Sequence, residues 1–120
     1  MARKDACVEF VDELKIDKDA FVEKQWIKDY VHLVLSVCRK FGRTVLTIKK
    51  CRSRNKGEHF YIKIRPPVSA ALANRLQWLL GDDAQRVSFN RARIRSRLKE
   101  WNKLFENVGR RLRTIYEGPD

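Results

Sequence analysis

Apolar residues recur every three or four positions along 19–41. Val22, Trp26, Tyr30, Leu33, Val34, Val37, Cys38 and Phe41 form a stripe, which Ile27, Val31 and Leu35 widen. This spacing predicts one long amphipathic helix. Asp17 or Asp19 is suited to cap its start, and Gly42 to close its end. Asp19 and Glu23 also suit a first turn. The stripe is too wide for one neighbour, so the helix is expected at the centre of the core. Upstream, Cys7-Val8-Glu9-Phe10-Val11 fits either a short strand or a helical turn.

The period then changes to two. Thr44 to Lys50 is rich in β-branched residues. In His59 to Arg65, Phe60, Ile62 and Ile64 point one way, and His59, Tyr61, Lys63 and Arg65 point the other. A polar basic loop with Gly57 as its turn residue joins the two runs, so 44–65 is expected to be a hairpin. Pro66-Pro67 is expected to end its second strand, because proline has no N–H for the ladder.

Ser69 is placed to cap a helix over about 69–80, with Leu72, Leu76, Leu79 and Leu80 as its buried face and Gly81 as its stop. Asp82-Asp83 suits a turn. Arg86 to Asn90 alternates and suggests a third strand over 86–90. Ile94, Leu98, Trp101, Phe105, Val108, Leu112 and Ile115 follow with alternating spacings of four and three. That is the seam of a terminal amphipathic helix, lying on the body or on a partner, with a break near 107–110 at Gly109. The expected fold is α+β: a small antiparallel sheet packed against a long central helix, with a C-terminal amphipathic helix. Residues 1–120 are expected to form one domain, with 1–18 as an N-terminal arm and 91–116 as an oligomerisation segment.

Charge changes the picture. The chain has 27 Lys and Arg against 15 Asp and Glu, a net of +12 in 120 residues. The excess sits in two blocks. Residues 39–65 carry ten basic residues and one acid, Glu58; residues 86–113 carry ten against Glu100 and Glu106. Residues 1–30 are slightly acidic. Two basic blocks separated by a neutral helix suggest two walls of one positive surface, and hence a polyanionic partner. The bland reading is a solvated, solubilising surface. No apolar run approaches the ~20 residues of a membrane span. The N-terminus leads into no signal-peptide core, so a cytoplasmic protein is expected. Cys7, Cys38 and Cys51 are odd in number and lack a CxxC, which suits neither a zinc site nor a disulfide framework.

Catalytic patterns are scarce. There is no phosphate-binding glycine loop, no dinucleotide fingerprint and no nucleophile elbow. Asp82-Asp83 stand alone, whereas two-metal chemistry needs several converging carboxylates. Cys51 and His59 face each other across the hairpin, but two unrelated hairpin residues explain that far better than a nucleophile pair. No enzyme activity, metal or cofactor is expected. Binding is better supported. His59, Tyr61, Lys63 and Arg65 share the outward side of one strand, and Lys49 stands on the paired strand. Such a face suits base stacking together with phosphate neutralisation. Arg43, Arg52, Arg54 and Lys56 add cations at the strand ends and in the loop. Trp78 lies off the leucine face near Arg75, as a stacking platform or an interface anchor. Arg91, Arg93 and Arg95 line one groove wall if that stretch is extended, and fan out if it is helical. Trp26 and Trp101 fall in apolar stripes, so they are expected in the core or an interface.

Three stretches carry a family resemblance: Gly57-Glu58-His59-Phe60-Tyr61-Ile62-Lys63-Ile64; Leu76-Gln77-Trp78-Leu79-Leu80-Gly81-Asp82-Asp83-Ala84-Gln85-Arg86-Val87; and Asn102-Lys103-Leu104-Phe105 with Gly109-Arg110-Arg111. Over about 40–113 the chain resembles the archaeal ThermoDBP group of single-stranded DNA-binding proteins and its relatives. The resemblance implies an α+β domain, a basic cleft for single strands, homo-oligomers and no catalysis. Gly57 and His59 at the head of an alternating strand also look like a piece of the archaeo-eukaryotic primases. That family needs catalytic carboxylates on a strand, which have no evident place here. The expectation is therefore sequence-tolerant binding of single-stranded DNA, with RNA binding or a primase-related enzyme fragment as the alternatives.

Overall fold

The computed structural model describes residues 10–18, 24–52, 57–102, 104 and 112–119. Seven elements run β1 (Phe10–Lys18), α1 (Lys24–Lys40), β2 (Thr44–Arg52), β3 (Glu58–Ser69), α2 (Ala70–Leu79), α3 (Ala84–Arg95) and β4 (Arg113–Glu117). The strands form one antiparallel sheet in the order β1-β3-β2-β4. The α+β class and the hairpin are as expected, with Thr44 opposite Arg65 and Arg52 opposite Glu58.

The core lies on one face of the sheet. Leu14 and Ile16 of β1, Val45 and Ile48 of β2, and Phe60, Ile62 and Ile64 of β3 are buried there. Spacing of two places those of β1 and β3 on one side, and a bulge between Val45 and Thr47 brings Val45 and Ile48 of β2 to the same side. Tyr30, Val34 and Cys38 of α1 and Ala73, Leu76 and Leu80 of α2 close over them. The Tyr30 ring packs on Phe60 at 4.6 Å between centroids, and its hydroxyl donates to the Leu80 carbonyl at 2.8 Å. Burial pushes the Tyr30 phenol well above its ordinary value, so it stays a donor.

The helix ends follow ordinary capping chemistry. Gly42 closes α1 with a φ of 73°, and Arg39 and Lys40 in its last turn complement the helix dipole. Ser69 Oγ accepts from Leu72 N at 3.2 Å to start α2. Gly81 follows α2 with a φ of 94°.

Several expectations are corrected. The first strand extends to Lys18, so Asp17 is a strand residue and not a helix cap; Asp19 lies outside the described residues. The signal was the alternation of Leu14 and Ile16 with Glu13, Lys15 and Asp17. α1 is not central: it covers one half of one sheet face, and Trp26 and Leu33 of its wide stripe are exposed. β3 runs through Pro66-Pro67 to Ser69. The β1 ladder skips from Lys63 to Val68 there, so the missing proline N–H groups cost no β1 pairing. Residues 86–90 are helical and not a third strand. Asp83 caps α3 by accepting from Arg86 N at 3.1 Å, and Val87 and Asn90 make its buried side.

The C-terminal amphipathic helix is also replaced. α3 ends at Arg95, Arg97 takes a φ of 63°, and Trp101 is buried from a turn. Leu98 and Leu112 are exposed, and Ile115 belongs to β4. Phe105 and Val108 lie outside the described residues. The heptad argument for self-association therefore loses its helix. Among the described residues no helix is long and apolar enough to cross a membrane.

Candidate nucleic-acid interface

The open face of the sheet carries the expected strand residues, but with neighbours the hairpin alone did not reveal. Antiparallel partners share a face. Lys15, Tyr61, Lys49 and Thr114 therefore form one row, and Glu13, Lys63, Thr47 and Glu117 the next. Lys63 also approaches Asp12 at 3.8 Å. β1 and β4 thus bring carboxylates among the cations, and the face is mixed rather than basic. Tyr61 is half-buried, and Lys49, Lys63 and Arg65 are exposed.

Two cations of the first basic block are used internally. Arg43 donates from Nε to the Pro66 carbonyl at 3.2 Å, and from Nη2 to Pro67 at 3.0 Å. Its Nη1 reaches the Phe41 carbonyl at 2.9 Å, so Arg43 staples the end of α1 to β3. Lys50 is buried on the core side and pairs with Glu58 at 2.5 Å. Arg52 ends β2 exposed, opposite Glu58. Arg54 and Lys56 lie outside the described residues.

His59 also departs from the outward role expected of it. It is 4 % exposed, with Nε2 3.5 Å from Asp17 Oδ1. Burial lowers its pKa, Asp17 opposes that, and the Arg86 charge adds to it. The unfolded chain takes up a proton below the ordinary 6.5, while the folded protein resists it. Stability contributed by this site is therefore full at neutral pH and falls as pH drops below about 6.5. Urea midpoints measured between neutral pH and about pH 5 should show this decline, and His59→Gln should flatten it. A decline of equal size in the variant would assign it to other groups.

Cys51 faces His59 across the ladder, and Asp17 faces it on the other side. The row has the residue types of a thiol triad. The His59 Nδ1, however, has no hydrogen-bond partner, and so accepts no proton from Cys51. Burial pushes the Cys38 thiol up to about 11, which keeps it inert. Among the described residues no three His, Cys, Asp or Glu side chains converge as metal ligands.

The strongest basic feature lies elsewhere. α2 and α3 enclose a groove of about 510 Å³, lined by Ala71, Asn74, Arg75, Trp78, Val87, Arg91, Ile94 and Arg95. Three arginines and a tryptophan that is 52 % exposed line it, and among the described residues no carboxylate does. The arginines fan out as a helix requires. Arg91 and Arg95, four apart, face the groove, while Arg93 turns to the other side of α3 over the Phe89 ring. Trp78, Arg91 and Arg95 are brought together; Arg93 and the sheet residues are not part of this groove.

A buried polar network fixes the two helices. The Gln77 amide and the Asn102 amide bond each other in both directions, at 2.7 and 3.0 Å. Arg86 reaches Asp82 Oδ2 at 2.6 Å, the Lys15 carbonyl at 2.9 Å and Asn102 Oδ1 at 2.8 Å. Burial raises the Asp82 pKa, against the pull of Arg86 and of the Asp17 and Asp83 N–H donors. Lys15 N donates to Gln77, Asp17 N donates to Asp82, and Asp83 N donates to the Asp17 carbonyl. The free edge of β1 is thereby capped. Sequence reasoning took Asp82-Asp83 for a turn and gave Gln77, Arg86 and Asn102 no role. No family model, curated protein or solved structure matches the chain.

Proposed function

We propose that the protein binds single-stranded nucleic acid, DNA in preference to RNA, with little sequence selectivity and without catalysis. The α2–α3 groove carries this reading: an exposed tryptophan and three arginines line it, with no carboxylate beside them among the described residues. An indole offers every base a stacking surface, and guanidinium groups neutralise the phosphates on either side of it. The groove lies between two helices and presents no isolated helix to a duplex major groove. The ThermoDBP resemblance points the same way. Tyr61 between Lys15 and Lys49 extends the contact as a weaker second surface. The primase-related reading loses support, because Asp82 is held by Arg86, Asp83 caps a helix and His59 is buried.

Self-association belongs to the same proposal, now resting on α1. Trp26 and Leu33 stand seven residues apart and exposed, apolar surface that a second copy would cover.

Titrating a labelled oligonucleotide as single strand, duplex and RNA tests the proposal. Single-stranded DNA should bind most tightly, and log affinity should fall linearly with log salt, by roughly 0.7 per phosphate contact. Equal affinity for the duplex, or indifference to salt, would overturn it. Light scattering on the same samples should give more than the monomer mass. A persistent monomer with full affinity removes the oligomer.

A further inference from the structure

On the far side of α3 from the groove lies a second cavity of about 340 Å³. Its walls include His59, Arg86, Phe89, Arg93, Glu100 and Leu104. We propose that this cavity seats one unstacked nucleobase of a strand that crosses α3 from the α2–α3 groove.

Three observations carry the inference. Phe89 is 53 % exposed, and the Arg93 guanidinium lies over its ring at 5.7 Å. The guanidinium takes one face of the ring, and the exposed remainder of the Phe89–Arg93 pair is a surface on which a base can stack. Next, two buried nitrogens of the wall-forming side chains, His59 Nδ1 and Arg86 Nε, have no hydrogen-bond partner among the described residues. Buried polar atoms are seldom left unpaired, and a base edge supplies both acceptors and donors. Finally, the wall charges are mixed. Asp17, Asp83 and Glu100 offset Arg86 and Arg93, whereas the α2–α3 groove has arginines and, among the described residues, no acids. A phosphate prefers the groove, and a neutral base with donors and acceptors suits the cavity.

The two sites are linked by a passable ridge. At the helical pitch, Ser88 and Ala92 lie between the Arg91–Arg95 side and the Phe89–Arg93 side, and both are exposed. Small side chains there let a sugar–phosphate backbone cross the helix closely.

The inference rests on the single-strand reading, and its test separates the two. His59 and Phe89 ring resonances are followed by NMR while nucleosides, inorganic phosphate and a short deoxy-homopolymer are added in turn. Trp78 fluorescence reports the groove in parallel. Nucleosides should shift both ring systems, phosphate should not, and the oligomer should shift them and quench Trp78. Phe89→Ala should weaken oligomer binding about 5- to 100-fold, with an unchanged melting midpoint. Quenching of Trp78 with still His59 and Phe89 signals overturns the cavity and leaves the single-strand reading standing. Shifts by nucleosides without any oligomer binding support the cavity and overturn the single-strand reading. Shifts by phosphate alone make the cavity an anion site and overturn the base. Silence from all three probes overturns both.

Discussion

Replacing Arg86 with methionine is expected to cost about 3–5 kcal/mol of folding stability, the range for removing one partner of a buried ion pair. The Asp82 side chain it pairs with is fully buried, and Arg86 itself is nearly so. With Arg86 gone, the carboxyl must stay charged without its counter-ion or take a proton, and either state is costly. The Lys15 carbonyl and both Asn102 oxygens lose their guanidinium donor as well. Arg86→Lys should recover little, because an ammonium cannot reproduce the fork that reaches three partners. Pairing Arg86→Met with Asp82→Asn should recover part of the loss, since the unpaired charge is then removed. Urea unfolding of the four proteins reads these differences. A loss below about 1 kcal/mol for Arg86→Met would show that the pair is not the clamp described.

The clamp makes the geometry of the proposed groove depend on residues far from it. Arg86 ties α3 to the edge of β1 and to Asn102. Asn90 bonds Asn74 across the floor of the same two helices at 3.2 Å, and Asn74 donates to the Val87 carbonyl at 3.0 Å. A stacking groove needs its walls at a fixed separation, and these bonds set it. Buried polar networks of this kind specify one arrangement of helices where apolar contacts tolerate several.

The parts of the fold legible in the sequence are those set by local period and punctuation. β2 and β3 follow from β-branched alternation, and α2 from Ser69 and Gly81. The failures have local causes too. Val87 and Phe89 are two apart, which imitates a strand, but the Asp83 cap outweighs that pattern. In α3 these two side chains point to opposite cavities. The seam from Ile94 to Ile115 keeps helical spacing, yet Arg97 leaves helical φ and Trp101 packs into the core from a turn. Thr114, Ile115 and Tyr116 carried the β signal that the seam obscured.

The candidate site divides the same way. Trp78 and the arginines of α3 were legible as residue types, because exposure of an aromatic among cations follows from helical phase. Their convergence was not, because it depends on how α2 meets α3. The sheet face was overvalued for the converse reason. Lys63 and Lys49 were seen, but Glu13 and Glu117 enter only once β1 and β4 are known to flank the hairpin. Arg43 was counted as a ligand contact although two proline carbonyls and that of Phe41 take its donors.

Trp78→Ala is expected to weaken single-strand binding by about 1–3 kcal/mol while leaving the fold intact. The indole is half exposed and absent from the buried core, so its loss opens no cavity beneath the sheet. Trp78→Phe should retain part of the affinity, since a smaller ring still stacks. Arg91→Ala with Arg95→Ala should act differently. Each removed phosphate contact lowers the slope of log affinity against log salt by roughly 0.7, so the double variant should lose about 1.4. Trp78→Ala should leave that slope nearly unchanged, because stacking releases no counter-ions. The two kinds of variant are therefore told apart by salt dependence and not by affinity alone. Lys63→Ala serves as the contrast, since that lysine stands beside Asp12 and Glu13, and its slope change should be small. Titrations at several salt concentrations, with melting midpoints recorded for each variant, decide the matter. A slope that falls for Lys63→Ala and holds for the arginine pair would move the phosphate path from the groove back to the sheet.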